Sequence, residues 1–362
     1  MTGAEPDALR DDLWQAVVRG DEGTALALVR QARTSGADPE TLLVDVVAGT
    51  QRRIGAAWAA GRLTVAREHA ATAINDRVVT LLTTPDEGAR PAPHRGRVVV
   101  ACVEGEWHAL PARLVTEVLR LRGWRVDFLG ARTPARHLVN HLHRSTADAV
   151  LLSSSLPTRL PAAHAAVTAC QAVGTPVLTG GGAFGPDGRY ARLLGADGWA
   201  PGAREAADVL AAGLERPANA AARHPVDDLP HLADQEYALV TRARPRLVKQ
   251  AFADLSDRLP AVRRYDDQQR ERIAEDLAHT VDFLAAALYV DDPDLFTGFL
   301  GWTADVLTAR GITPRGSLLP ALSSLGEQLH DLPRARRLLD EGALALVDPA
   351  GPLTVTPNGS RR

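Results

Sequence analysis

The spacing of apolar residues changes character twice along the chain. In residues 1–88 apolar positions recur three and four apart within 8–19, 21–35, 39–60 and 64–83, the spacing of helices that bury one face. Four such helices on short links predict a four-helix bundle. Asp21, with Thr24 three residues on, is placed to cap the second helix. From residue 97 short β-branched runs take over, separated by helical stretches. Strands are expected at 97–103, 125–129, 148–153, 176–180 and 197–200, and a last helix over 203–214. Such alternation predicts a parallel sheet covered by helices on both faces. Helical spacing then returns over 233–256, 267–289, 294–310, 315–329 and 334–346. Pro245 is expected to kink or split the first of these. Polar, Pro/Gly-rich stretches at 85–96 and 215–232 read as linkers, and the tail from Asp348 as disordered. The pattern thus sets three domains, 1–88, 97–216 and 233–347.

Composition narrows the function classes. Hydrophobic residues make up 45% of the 362 and aromatics only 4%, so the core is Ala, Leu and Val, which suits helix packing. A net charge of -3 argues against a general nucleic-acid binder. Lys249 is the only lysine, which leaves Schiff-base chemistry one candidate with nothing around it in support. Cys102 and Cys170 form neither a metal-spaced pair nor a disulfide framework. With no signal peptide and no apolar run long enough to span a membrane, a cytoplasmic protein is expected.

The chemistry concentrates after the first strand, in Val98-Val99-Val100-Ala101-Cys102-Val103-Glu104-Gly105-Glu106-Trp107-His108-Ala109-Leu110-Pro111. A buried strand stops at a Glu-Gly turn and leaves His108 at the start of a helix. In open α/β sheets, ligands sit outside the carboxyl ends of strands. A lone loop histidine is ordinarily just a polar residue, but a neutral imidazole is also a common metal ligand. Glu106, two residues earlier, is placed to orient its other nitrogen. The stretch resembles the cobalamin-binding domain of methionine synthase, the corrinoid mutases and the B12 photoreceptors, whose first strand is followed by Asp-x-His-x-x-Gly. Here a Glu keeps the carboxylate and Pro111 replaces the glycine. The resemblance implies a flavodoxin-like (Rossmann-like) fold, cobalamin as cofactor, and His108 as cobalt ligand from below.

Two further stretches fall at strand ends. Ser153-Ser154-Ser155-Leu156 offers hydroxyls, or simply terminates its strand. Thr179-Gly180-Gly181-Gly182 lets backbone approach a flat ligand, or simply turns. They match the family's Ser-x-Leu and Gly-Gly motifs, which implies that Ser154, Leu156, Gly180 and Gly181 line the nucleotide tail of cobalamin. In the N-terminal bundle, Trp58 stands ten residues before Glu68-His69, with Gly61 between. The plain reading is a core Trp and surface polar residues. The spacing also resembles the B12-dependent photoreceptor repressors. By that resemblance Trp58 shields the upper face of adenosylcobalamin, Glu68 bonds the adenosyl group and His69 lies within reach of cobalt. The position after the Trp is Ala59, where the repressors carry a His. With the cap starting near residue 6, no winged-helix DNA-binding domain is expected.

The C-terminal segment gathers Arg263, Arg264, Asp276, His279, Phe283, Phe296, Phe299 and Trp302. One reading is a helical dimerisation or packing domain. The other is a flat chromophore pocket, with Arg263 and Arg264 clamping propionates and Asp276 and His279 bonding pyrrole nitrogens and a lactam. The domain order resembles photocobilins, which implies a globin-like domain holding biliverdin. No Cys lies beyond residue 170, so a bilin there must be held noncovalently. Three functions follow in order. The first is a light sensor, not an enzyme, in which loss of the adenosyl group changes cap packing and a light-dependent homo-oligomer. The second is a corrinoid carrier for methyl transfer. The third is an interaction protein with a vestigial site.

Overall fold

The computed structural model describes residues 4–84, 93–214, 234–260 and 262–347. Most of the stretch 85–96, all of 215–232 and the tail from Asp348, read above as linkers and a disordered end, lie outside the described residues. Contacts divide the chain into two compact units, Met1–Pro225 and Val226–Arg362.

The first unit opens with α1 (Ala4–Arg19) and α2 (Glu22–Thr34), the latter capped by Asp21, whose carboxylate accepts from the Thr24 N–H at 3.0 Å. Helix α3 follows without interruption as Pro39–Thr41, a π turn Leu42–Val47 and Ala48–Ala59. Gly61, at φ +68°, then turns the chain into α4 (Val65–Thr83), whose N-cap is Thr64. Leu13, Val29, Leu43, Val46, Ile54, Ala71 and Val78 are buried between these helices.

Next come β1 (Arg97–Cys102), α5 (Ala109–Leu121), β2 (Arg125–Gly130), α6 (Ala135–Ser145), β3 (Ala149–Ser153), α7 (Leu160–Ala172), β4 (Val177–Gly180), α8 (Arg189–Leu193), β5 (Gly198–Ala200) and α9 (Ala203–Ala212). The strands pair in parallel in the order β2-β1-β3-β4-β5. Val98, Val99 and Val100 have no exposed surface, as expected of a central strand covered on both faces. One apolar core continues from Leu13 and Val46 in the helices through Val100 in β1 to Leu119 in α5. It is reinforced by arginines of the sheet segment. Arg122 holds Glu40 at 2.9 and 2.8 Å, and Arg204 holds Asp45, inside the π turn, at 2.8 and 2.7 Å. Arg113, on α5, holds Asp76 of α4 at 2.7 Å. The helices are therefore fastened along α5, the helix that begins at His108.

The second unit comprises α10 (Glu236–Arg258), α11 (Asp267–Val290), α12 (Pro293–Ala309), α13 (Pro314–Gln328) and α14 (Pro333–Val347). Contrary to the sequence expectation, Pro245 does not split α10. Proline removes one N–H and orphans the carbonyl four residues back, but here that residue, Thr241, is exposed on the solvent side of the helix. Either side is anchored, by buried Val240 and Leu247 and by the Arg244–Asp282 ion pair. Among the described residues no helix is long and apolar enough to cross a membrane.

Candidate functional site

In this strand order β1 has β2 on one side and β3 on the other, so the crevice of the switch point opens at their carboxyl ends. Gly105, at φ +78°, makes the turn that leaves β1. Glu106 follows, with no exposed surface. Its Oε1 accepts from the backbone N–H of His108 at 2.9 Å and faces His108 Nδ1 at 2.6 Å. Its Oε2 accepts from the Ser155 N–H at 2.6 Å, the Leu156 N–H at 3.3 Å and the Ser154 hydroxyl at 3.3 Å. Burial pushes this carboxyl upward, but the hydrogen bonds from His108 and Ser155 outweigh it and hold the group at about 2. A carboxylate only accepts, so Nδ1 of His108 donates to it, and in the neutral tautomer this selects the lone pair lies on Nε2. The His108 side chain is 40% exposed, which leaves that lone pair available to a metal.

Ser154 and Leu156 therefore also hold the histidine loop, through Glu106. The Ser154 hydroxyl and the Leu156 amide both turn to Glu106, and the Ser154 N–H donates to the Gly180 carbonyl at 3.1 Å. Gly181 passes so close beneath that a Cβ there would meet the Ser154 carbonyl oxygen at 2.3 Å. These motifs form the floor on which Glu106 rests.

On the facing helix α4, Glu68 is bracketed by two groups. The Thr72 hydroxyl donates to its Oε1 at 2.9 Å, and His69 Nδ1 lies 2.7 Å from its Oε2. His69 Nδ1 is also 3.0 Å from the Val65 carbonyl, so two acceptors select the tautomer with its proton on Nδ1. Trp58 lies on α3, partly buried against the core. Trp107, not singled out from sequence, bridges the two sides. Its ring centroid lies 4.7 Å from that of His108 and 5.9 Å from that of His69, and 54% of the residue is exposed. Its only sequence signal was being the residue between Glu106 and His108.

The second unit corrects part of the clamp expected there. Arg263 donates to the Ser256 carbonyl at 2.8 Å and to Asp257 at 2.9 Å, so its fork closes the end of α10. Arg264, Asp276 and His279 are exposed. Phe296 and Phe299, three apart on α12, pack against different helices. Phe296 is fully buried against Gly342 of α14, whereas Phe299 stacks on Phe283 of α11 at 3.9 Å and 10°. The half-buried Phe pair is thus the aromatic surface that α11 and α12 hold in common.

Among the described residues no three His, Cys, Asp or Glu side chains gather to hold a bare ion. His108 offers one nitrogen, its tautomer set by Glu106. That donor set fits a metal whose other ligands arrive with it in a macrocycle, as cobalt does in cobalamin.

Comparison with known proteins points the same way. Two family models, each described as a B12 binding domain, match residues 96–208 and residues 9–83. The chain is 32% identical over 151 residues to the HTH-type transcriptional repressor CarA of Myxococcus xanthus, covering 41% of this chain and about half (49%) of that protein. It is 25% identical over 205 residues to the dimethylamine corrinoid protein of Methanosarcina barkeri, covering 55% of this chain and 94% of that protein. The structure of the Methanosarcina barkeri monomethylamine corrinoid protein superposes with a TM-score of 0.50 at 19% identity, covering 56% of this chain and 97% of that one, a likeness of fold. The helical segment and the sheet segment thus each match a B12 binding domain, and the protein that carries them is a cobalamin-binding protein.

Proposed function

We propose that the protein is a cytoplasmic light sensor, not an enzyme, that holds adenosylcobalamin between its N-terminal helices and its sheet. The observation that carries this reading is the row His69, Trp107, His108, which brings the helical segment and the metal-binding loop to one place. Adenosylcobalamin, when bound, supplies a cobalt–carbon bond that light breaks. The residues of the chain do the rest. His108 ligates from below, with Glu106 fixing its tautomer. Trp58 shields the upper face, Glu68 retains the adenosyl group, and His69 stands close by. Light then alters how the helical segment packs and changes the homo-oligomer. A ligand shifts such an equilibrium only by its different affinity for the two states.

Biliverdin in the second unit is the proposed second chromophore. The stacked Phe283 and Phe299 supply a flat apolar surface, and exposed Arg264, Asp276 and His279 lie on the same unit. The competing reading is a corrinoid carrier for methyl transfer, favoured by the match over 94% of the dimethylamine corrinoid protein.

Size-exclusion of the cobalamin-loaded chain in the dark and after green light separates the two. The sensor reading expects a change of oligomeric state, and tighter dark binding of adenosyl- than of methylcobalamin that Trp58→Ala and Glu68→Ala erode. Equal affinities with no response to light would make it a carrier. In the same preparations His108→Ala is expected to abolish the visible bands of His-ligated cobalamin. Their persistence would remove His108 from the metal. Protein made with a biliverdin source is expected to show a red-absorbing band that elutes free of the chain on denaturation. No band in the native protein would leave the second unit as a helical packing module.

A further inference from the structure

A second cleft, of about 480 Å3, opens beside the carboxyl end of β2, and nothing above uses it. Arg132 and Thr133 line it from the loop after β2, and His137, Asn140, His141 and Arg144 line it from one face of α6. No carboxylate is among its walls. His141 Nε2 lies 2.9 Å from the carboxylate of Asp127, on β2. Arg132, Arg144 and His137 have no partner among the described residues. By contrast, Arg113, Arg120, Arg122 and Arg204 in the same unit are each tied to a carboxylate.

The backbone of the cleft is held in an unusual shape. Arg132 sits at φ +56°, a left-handed conformation that a non-glycine residue rarely adopts. Its N–H donates to the Glu106 carbonyl at 2.8 Å, so the histidine loop fixes where this guanidinium starts from. Pro134 then opens α6, its carbonyl accepting from the His137 N–H at 2.9 Å and the Leu138 N–H at 3.1 Å, so the cleft meets the side chains of this helix.

We propose that this cleft binds a phosphate-bearing small molecule. Two unpaired guanidinium forks in a cleft lined by no carboxylate suit a multiply charged anion with several acceptor oxygens better than a single carboxylate. The volume exceeds what a bare phosphate ion needs and lies in the range of small-ligand sites, so the ligand carries an organic part or a second phosphate. None of its lining residues is among those assigned to cobalamin above, and the proposal stands whether or not the protein senses light.

The test is calorimetric titration of inorganic pyrophosphate into the full chain loaded with cobalamin, with sulfate as the comparison anion. Pyrophosphate is expected to bind more tightly than sulfate. Arg132→Gln and Arg144→Gln are each expected to weaken it about tenfold, and the double variant to abolish it. Arg136→Gln, an equally exposed charge on α6 outside the cleft, is expected to change nothing. Cobalamin retention is expected to be the same in all of them. Absence of binding, equal affinity for sulfate (an adventitious ion only), or equal weakening by Arg136→Gln would each overturn the site. Binding seen only in the cobalamin-free chain, with cobalamin competing, would make the cleft part of the corrinoid site and overturn it as a separate one.

Discussion

Replacing Glu106 with Ala is expected to destabilise the first unit by about 3–5 kcal/mol, the range for removing one partner of a buried charged network. The reason is the number of donors that lose their acceptor together. The His108 N–H, the His108 Nδ1–H and the Ser155 N–H all converge on this carboxylate within 2.9 Å. None can follow the side chain, since two are backbone amides set by the ends of β1 and β3. Ala also leaves a hole where a fully buried side chain stood. Glu106→Gln is expected to cost less, because it keeps the shape and one acceptor. Its amide nitrogen, however, confronts whichever set of donors the oxygen does not serve. Urea unfolding of the cobalamin-free chain checks this, read through hydrogen exchange at the Ser155 and His108 amides so that the second unit does not blur the transition. A Glu106→Ala chain that keeps wild-type protection at both amides would mean that the carboxylate does not organise the loop.

That network marks the boundary of what could be read from sequence. The β-branched run 98–100 predicts a central strand, and a residue two before a histidine at a strand end is in reach of its ring. Both are local facts, and both appear in the structure. The other half of the Glu106 network comes from residues 154–156, about fifty positions away. No periodicity brings β3 beside β1 in that register, so Ser154 and Leu156 read as ligand contacts alone, without their hold on Glu106. Trp107 was illegible for another reason. It is exposed, and its neighbour His69 belongs to a helix that only tertiary packing delivers. Arg263 shows the opposite error. Two arginines before a helix suggested an anion clamp, but one of them faces the carbonyls freed at the end of α10, and sequence does not reveal that competitor. Pro245 was overread because the rule for helix-breaking assumes that the orphaned carbonyl is buried. The helices of both units were legible throughout, since their apolar spacing reports directly which face packs.

Gly181→Ala is expected to be the most damaging small substitution in the glycine loop, at about 3 kcal/mol, and to loosen His108 from a distance. The backbone there has φ +98° and ψ 166°, a region that only glycine occupies freely and that costs other residues roughly 1–3 kcal/mol. The new Cβ would also stand 2.3 Å from the Ser154 carbonyl oxygen. That oxygen is backbone and already accepts from the Ala183 N–H at 3.1 Å, so it has no flexible side chain with which to yield. The segment 154–156 must shift as a piece, and the Ser155 N–H that fixes Glu106 shifts with it. His108 then loses the partner that sets its tautomer, without any change to its own sequence neighbours. The neighbouring Gly180→Ala supplies the control. It has an ordinary φ, and its Cβ would meet the Ala200 carbonyl only at 3.0 Å, so a smaller loss is expected. Unfolding midpoints of the two variants, with the affinity of each for cobalamin, separate the effects. Equal stability of the two would show that the Ser154 carbonyl can move freely and that the glycine loop does not support the histidine.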